Sequence, residues 1–190
     1  MTDTLKPFDR KSTALVVIDL QKGIVARDTK PHSSGSVVEN AVRLVERFRA
    51  LGMPVFLVHV DFSRGLPLQV TSDSQTVRGE IPADWSLFVP ELNVTENDLV
   101  ITKRQWGAFY GTDLDQQLRR RHINTIVLAG IATTYGVEST ARFAYEYGYN
   151  QVFAEDAITD MSEEAHRISV EYVLKRIGRV RSTEEILSAL

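Results

Sequence analysis

Cysteine is absent from this 190-residue chain. Its absence excludes disulfides, a thiolate nucleophile and cysteine-ligated zinc whatever the fold. Histidine is sparse: His32, His59, His122 and His166 are scattered without ligand spacing, so no metal site is expected. His59 lies near a strand end and reads as a structural histidine. No apolar run approaches the roughly 18 residues needed to cross a bilayer, and the first eleven residues lack the apolar core of a signal peptide. A cytoplasmic protein with no membrane partner is therefore expected. Charge of one sign is lacking too, with 22 Lys+Arg against 25 Asp+Glu and a formal net charge of −3. That balance offers no attraction for a phosphate backbone, and nucleic acid is not an expected partner. The one basic cluster, Arg119-Arg120-Arg121-His122, reads as a solvated helix end where cations meet the negative end of the dipole. Neither a dinucleotide fingerprint nor a Gly-Lys-Ser/Thr triplet occurs, so no cofactor is expected.

What is present suits one substantial core. Hydrophobic residues make up 43% of the chain and charged residues 25%, which at this length points to a single domain over residues 1–190. Short β-branched runs alternate with longer amphipathic stretches, the pattern of an α/β fold. The spacing predicts strands over residues 13–19, 54–60, 99–103, 125–130 and 151–155, and a short one at 179–180. Continuous apolar runs such as Ala14-Leu15-Val16-Val17-Ile18 suit strands covered on both faces. Helices are predicted over residues 37–51, starting after Ser36, and over 113–121, 134–147 and 162–176. A last helix opens at Ser182-Thr183-Glu184-Glu185, where Ser and Glu three apart form a capping box. The fold class that follows is a three-layer α/β/α, Rossmann-like arrangement with a doubly wound parallel sheet of about six strands. Residues 61–97 show no clear periodicity and carry Trp85-Ser86-Leu87-Phe88-Val89. Such a stretch serves as a lid or an oligomer contact, or tucks against its own body.

Ligands of open parallel sheets bind beyond the carboxyl ends of the strands. Asp19 ends the first predicted strand, Lys103 the third, and Ile131 to Gly136 follow the fourth. A carboxylate beside an ammonium, opposed by burial, holds an acid or base useful near neutral pH.

Three segments carry a wider likeness: Val16-Val17-Ile18-Asp19-Leu20-Gln21, then Lys103-Arg104-Gln105-Trp106-Gly107-Ala108-Phe109-Tyr110-Gly111, then Gly130-Ile131-Ala132-Thr133-Thr134-Tyr135-Gly136-Val137. In order and spacing they resemble the isochorismatase-like hydrolases, the superfamily that includes cysteine-dependent nicotinamidases and N-carbamoylsarcosine amidases. The resemblance implies catalytic roles for Asp19 and Lys103, and sets Gly136 where many relatives keep a nucleophilic cysteine. A covalent route is thereby removed. The hydroxyls of Thr133, Thr134, Ser139 and Thr140 are not expected to replace it, since Thr133 or Thr134 more naturally caps the following helix.

True isochorismatases, several of which look to have glycine here, offer the precedent of vinyl-ether hydrolysis: a proton goes to the methylene carbon and water attacks the resulting oxocarbenium centre. The resemblance further implies a cis peptide at Ile131–Ala132, with N–H groups of Ala132 and Gly136 turned to the pocket. It places Gln21, Trp106, Phe109, Ile131, Ala132 and Tyr135 at the substrate and suggests a homo-oligomer. The function expected is hydrolysis of a small molecule through an Asp–Lys acid/base pair. The alternative is a catalytically silent small-molecule-binding protein that kept the pocket. Arg27, Arg64, Arg78 and Arg104 are candidates, by charge alone, for holding a substrate carboxylate.

Overall fold

Alternate residues of the first strand point to opposite sides and find different partners there. In the computed structural model, which describes residues 6–63, 65, 67, 68, 70–73 and 81–190, strand β1 (Thr13–Ile18) is wholly buried. Leu15 and Val17 face one apolar cluster, while Ala14, Val16 and Ile18 face a second. A strand apolar on both sides needs cover on both sides, and this requirement sets the three layers.

The elements follow in order. A short helix α1 (Lys22–Val25) precedes α2 (Ser34–Ala50), then β2 (Val55–Val60), β3 (Leu99–Lys103), α3 (Leu114–Arg120), β4 (Thr125–Ile131), α4 (Glu138–Glu146), β5 (Asn150–Thr159), α5 (Glu163–Ser169), α6 (Lys175–Ile177), β6 (Arg179–Arg181) and α7 (Thr183–Ser188). All six strands run parallel in the order β3-β2-β1-β4-β5-β6. Helices α2 and α7 cover one face through Val37, Ala41, Leu44, Phe48 and Ile186. Helices α3 and α4, with Val170 and Leu174, cover the other.

Several local features differ from the pattern read in the sequence. Helix α2 begins earlier because Ser33, not Ser36, is its cap: the Ser33 Oγ accepts the Ser36 N–H at 3.1 Å. Strand β5 runs four residues beyond the predicted end, and its pairing with β4 shifts register between Leu128–Phe153 and Gly130–Ile158, the extra residues lying on β5. The two long helices after β4 and β5 each contain a wider π-type turn, at Thr133–Val137 and Val170–Leu174. The capping box at Ser182 and Glu185 forms as expected.

The doubly wound order reverses direction between β1 and β4, and the crevice of such a sheet lies at that point. Ile18 pairs with Gly130, so Asp19 and Ile131 leave the sheet side by side. Gly130 is required there. Its φ is 122°, and a Cβ would fall 2.0 Å from the Ile18 carbonyl oxygen.

Candidate active site

Asp19 leaves β1 with φ 53°, in the left-handed region that Asp tolerates better than most residues. Non-glycine residues held there are strained and gather at functional sites. The residue is 6% exposed. Its Oδ2 meets Lys103 Nζ at 2.8 Å, while Oδ1 has no donor among the described residues. Burial pushes the Asp19 carboxyl above the usual carboxylate range, and the attraction of Lys103 only partly opposes this.

Lys103 reaches the aspartate from the end of β3. Its ammonium has three hydrogens and three acceptors: Asp19 Oδ2, the Trp106 carbonyl at 2.8 Å and the Gln105 carbonyl at 3.3 Å. The two carbonyls anchor the ammonium in place beside the carboxylate.

Opposite them stands the turn after β4. The Ile131–Ala132 peptide is cis, in agreement with the expectation. Gly136 is buried and is not among the glycines with positive φ, so the backbone there does not demand glycine. A Cβ at Gly136 would lie 3.1 Å from Asp19 Oδ2, 3.5 Å from the Trp106 carbonyl oxygen and 2.8 Å from the Ile18 Cγ2 methyl. Gly136 therefore faces the acid–lysine pair directly.

The neighbouring hydroxyls are engaged elsewhere. Thr133 Oγ1 pairs with His166 Nδ1 at 2.9 Å, and Thr140 Oγ1 donates to the Gly136 carbonyl at 2.6 Å. The helix cap expected of Thr133 or Thr134 is provided instead by Asp160, whose Oδ2 accepts both the N–H and the hydroxyl of Thr134 at 2.7 Å. Sequence reading missed Asp160. Its signal was an aspartate at the carboxyl end of a strand, the same signal that marked Asp19.

Of the expected substrate contacts, Trp106 and Tyr135 come together at the surface. They are 63% and 42% exposed, with ring centroids 4.9 Å apart at 85°. Ile131 and Ala132 are buried beside Asp19, with their side chains in the core. Phe109 goes elsewhere. It is buried against Tyr147 and Tyr149, toward the amino ends of the strands, because the chain winds inward after Trp106. Gln21 is also corrected: its amide nitrogen donates to the Val60 and Trp85 carbonyls and its oxygen accepts the Val60 N–H. With both amide hydrogens committed, Gln21 is a clasp, and the segment it holds is the apolar part of the long loop. The Lys22 and Gly23 N–H groups bond the Leu87 and Trp85 carbonyls, and Val89 N–H bonds Leu20. Phe88 stacks on His59, whose ring nitrogens meet the Ser86 carbonyl and Thr102 Oγ1. The loop thus tucks against its own body, leaving Leu87 exposed.

Two histidines that look scattered in sequence are adjacent in space: His32 and His166 both contact Glu155. Of the arginines, Arg27 is exposed and Arg104 half-buried, while Arg64 and Arg78 lie outside the described residues. Among the described residues no helix is long and apolar enough to cross a membrane.

The isochorismatase domain family matches residues 13–185. The chain is 52% identical over 190 residues to the uncharacterized isochorismatase family protein YwoC of Bacillus subtilis (strain 168), covering 98% of both. It is 52% identical over 185 residues to the corresponding protein YecD of Escherichia coli O157:H7, covering 96% of this chain and 98% of YecD. An isochorismatase family protein from Burkholderia thailandensis has the same fold, with a TM-score of 0.93 at 43% identity over 98% of this chain and 99% of that one. A doubly wound sheet with Asp19 and Lys103 joined across its carboxyl edge, matched over nearly its full length by these relatives, shows that the chain belongs to the isochorismatase family.

Proposed function

We propose that this chain hydrolyses a small vinyl ether with Asp19 as proton donor and acceptor, Lys103 as its positioning partner, and no covalent enzyme intermediate. The observation that carries this reading is Gly136. It sits where a side chain would touch the Asp19 carboxyl, and its backbone does not require glycine. A side chain there would press on the Asp19 carboxyl and the Ile18 methyl, and glycine keeps that approach to the acid clear.

In the proposed reaction, Asp19 in its neutral form gives its proton to the methylene carbon of the enol ether. The carbon–carbon π pair takes up that proton, leaving an oxocarbenium centre. Water adds to this centre, and the proton it releases returns to the Asp19 carboxylate. The resulting hemiketal breaks its carbon–oxygen bond to give an alcohol and a ketone, pyruvate where the ether is an enolpyruvyl group. Burial raises the Asp19 pKa toward the range where a carboxyl can act as the acid. The faces of Trp106 and Tyr135 suit a flat, partly cationic carbon. Arg27, Arg64, Arg78 and Arg104 are the candidates, by charge, for a substrate carboxylate.

The test is to incubate the purified chain with isochorismate and with a panel of amides, following pyruvate release and amine release. The reading expects pyruvate from the vinyl ether and no amide hydrolysis. Amide hydrolysis without vinyl-ether turnover would overturn it. Tight ligand binding with no turnover of any substrate would favour the silent binding protein.

A further inference from the structure

Beside the site, and unused by the reaction above, lies a convergence of three side chains from three elements. His32 comes from the loop before α2, Glu155 from β5 and His166 from α5. The Nε2 atoms of His32 and His166 meet the same carboxylate oxygen, Glu155 Oε1, at 3.1 and 3.2 Å. The two rings are 5.9 Å apart at 86°, edge to face. One ligand atom from each residue lies within 4.8 Å of the other two.

The scaffold around this group is fixed. Thr29 Oγ1 and Thr159 Oγ1 both donate to the His32 carbonyl, at 2.9 and 2.7 Å. Lys30 and Asp160 exchange two backbone hydrogen bonds, pinning the loop to the end of β5. His166 is buried, and its second nitrogen is engaged by Thr133 Oγ1 at 2.9 Å.

We propose that His32, Glu155 and His166 bind a first-row divalent cation, with zinc the best match. Two imidazoles and one carboxylate are the donor set this borderline ion prefers, and they leave a fourth position for water. Tetrahedral bonds of 2.0–2.1 Å separate ligand atoms by about 3.3 Å, close to both nitrogen–oxygen distances here. The ligand atoms of all three residues already lie within 4.8 Å of one another, and the His32 and Glu155 side chains are partly exposed. On binding, each Nε2 gives up its proton. His166 then carries its hydrogen on Nδ1 and donates it to Thr133, the outer hydrogen bond that ligating histidines characteristically make. Thr133 belongs to the same five-residue turn as Gly136, so the ion would tie the loop, β5 and α5 to the backbone that walls the site.

The test uses the untagged full chain, metal-free, titrated with Co2+ and separately with Zn2+. One equivalent of Co2+ is expected to give the intense visible absorption of a low-coordinate site, and Zn2+ to raise the melting temperature by several degrees. His32→Ala and Glu155→Gln, both at partly exposed positions, should fold and bind each ion at least tenfold more weakly. A folded wild-type chain with neither signal would overturn the proposal and leave a hydrogen-bonded triad only. Signals undiminished in both variants would overturn it as well, because the ion would then sit elsewhere.

Discussion

Two buried carboxylates in this molecule each hold a cation, and their proton affinities move in opposite directions. Asp98 takes Arg49 in a two-pronged grip, Nε to Oδ1 at 3.0 Å and Nη2 to Oδ2 at 2.6 Å, and also accepts the N–H and hydroxyl of Thr95. Burial works to raise its pKa, but those donors outweigh burial and hold it below the usual range. Among the described residues Asp19 has a single cation on one oxygen and no donor on the other, and burial prevails. The difference lies in how many donors are assembled. A carboxylate given a full set of donors becomes a structural anchor, tying α2 to the approach to β3. One left short of donors keeps its affinity for a proton and can deliver it.

The largest effect should come from breaking the second kind. Asp19→Asn should keep the fold and lower vinyl-ether turnover by roughly two orders of magnitude or more, the scale of general acid–base catalysis. Unchanged turnover in a steady-state assay would remove Asp19 from the mechanism. Breaking the first kind should instead reach stability. Asp98→Ala leaves Arg49 without its partner and should cost about 3 kcal/mol in chemical denaturation, while kcat stays within a few-fold of wild type. A large loss of kcat in the folded Asp98→Ala variant would blur the distinction.

The smallest and most diagnostic effect is in the pH dependence of stability, where the two residues should give slopes of opposite sign. Asp98 is lowered in the folded state, so its contribution is present above its ordinary value of 3.8 and is lost as pH falls below it. Asp19 is raised, so the folded state holds its proton more tightly than the unfolded one. Its contribution therefore declines as pH rises from 3.8 through the raised value. Asp98→Asn should flatten the acid limb of a stability curve, whereas Asp19→Asn should remove an opposing decline at higher pH. Slopes of the same sign for both would contradict the comparison.

Strand positions were legible because the sheet is covered on both faces, which turns each central strand into an unbroken apolar run. A strand-end aspartate is often only a cap, as Asp160 is, so Asp19 and Lys103 were legible because both close strands at the same sheet edge and both fall within segments that resemble the family. Other features depended on how the chain winds. Trp106 and Phe109 lie three residues apart in one irregular segment, yet one reaches the surface and the other the core. Ser33-Ser34-Gly35-Ser36 offered several acceptable caps, and only the geometry of α2 distinguishes among them. Gln21 looked like a site residue because it follows Asp19 closely, but its amide matches the backbone of a loop more than sixty residues away. His32, Glu155 and His166 have no spacing signal, since 123 residues separate the first two and tertiary contact alone unites them.

Gly136 faces the Asp19–Lys103 pair so closely that a side chain placed there reports on the acid directly. Because the chain has no cysteine, Gly136→Cys supplies a single thiol and a clean probe. The φ at Gly136 suits any residue, but a Cβ there would come 2.8 Å from the Ile18 Cγ2 methyl and 3.1 Å from Asp19 Oδ2, so the methyl has to shift and the carboxyl has to give by a few tenths of an ångström. Lys103 and the start of the following helix both favour a thiolate. Gly136→Cys should fold, its thiol should react with iodoacetamide much faster than free cysteine at neutral pH, and its vinyl-ether turnover should be slowed. A misfolded variant, or a thiol no more reactive than free cysteine with Asp19 and Lys103 intact, would contradict this placement of Gly136.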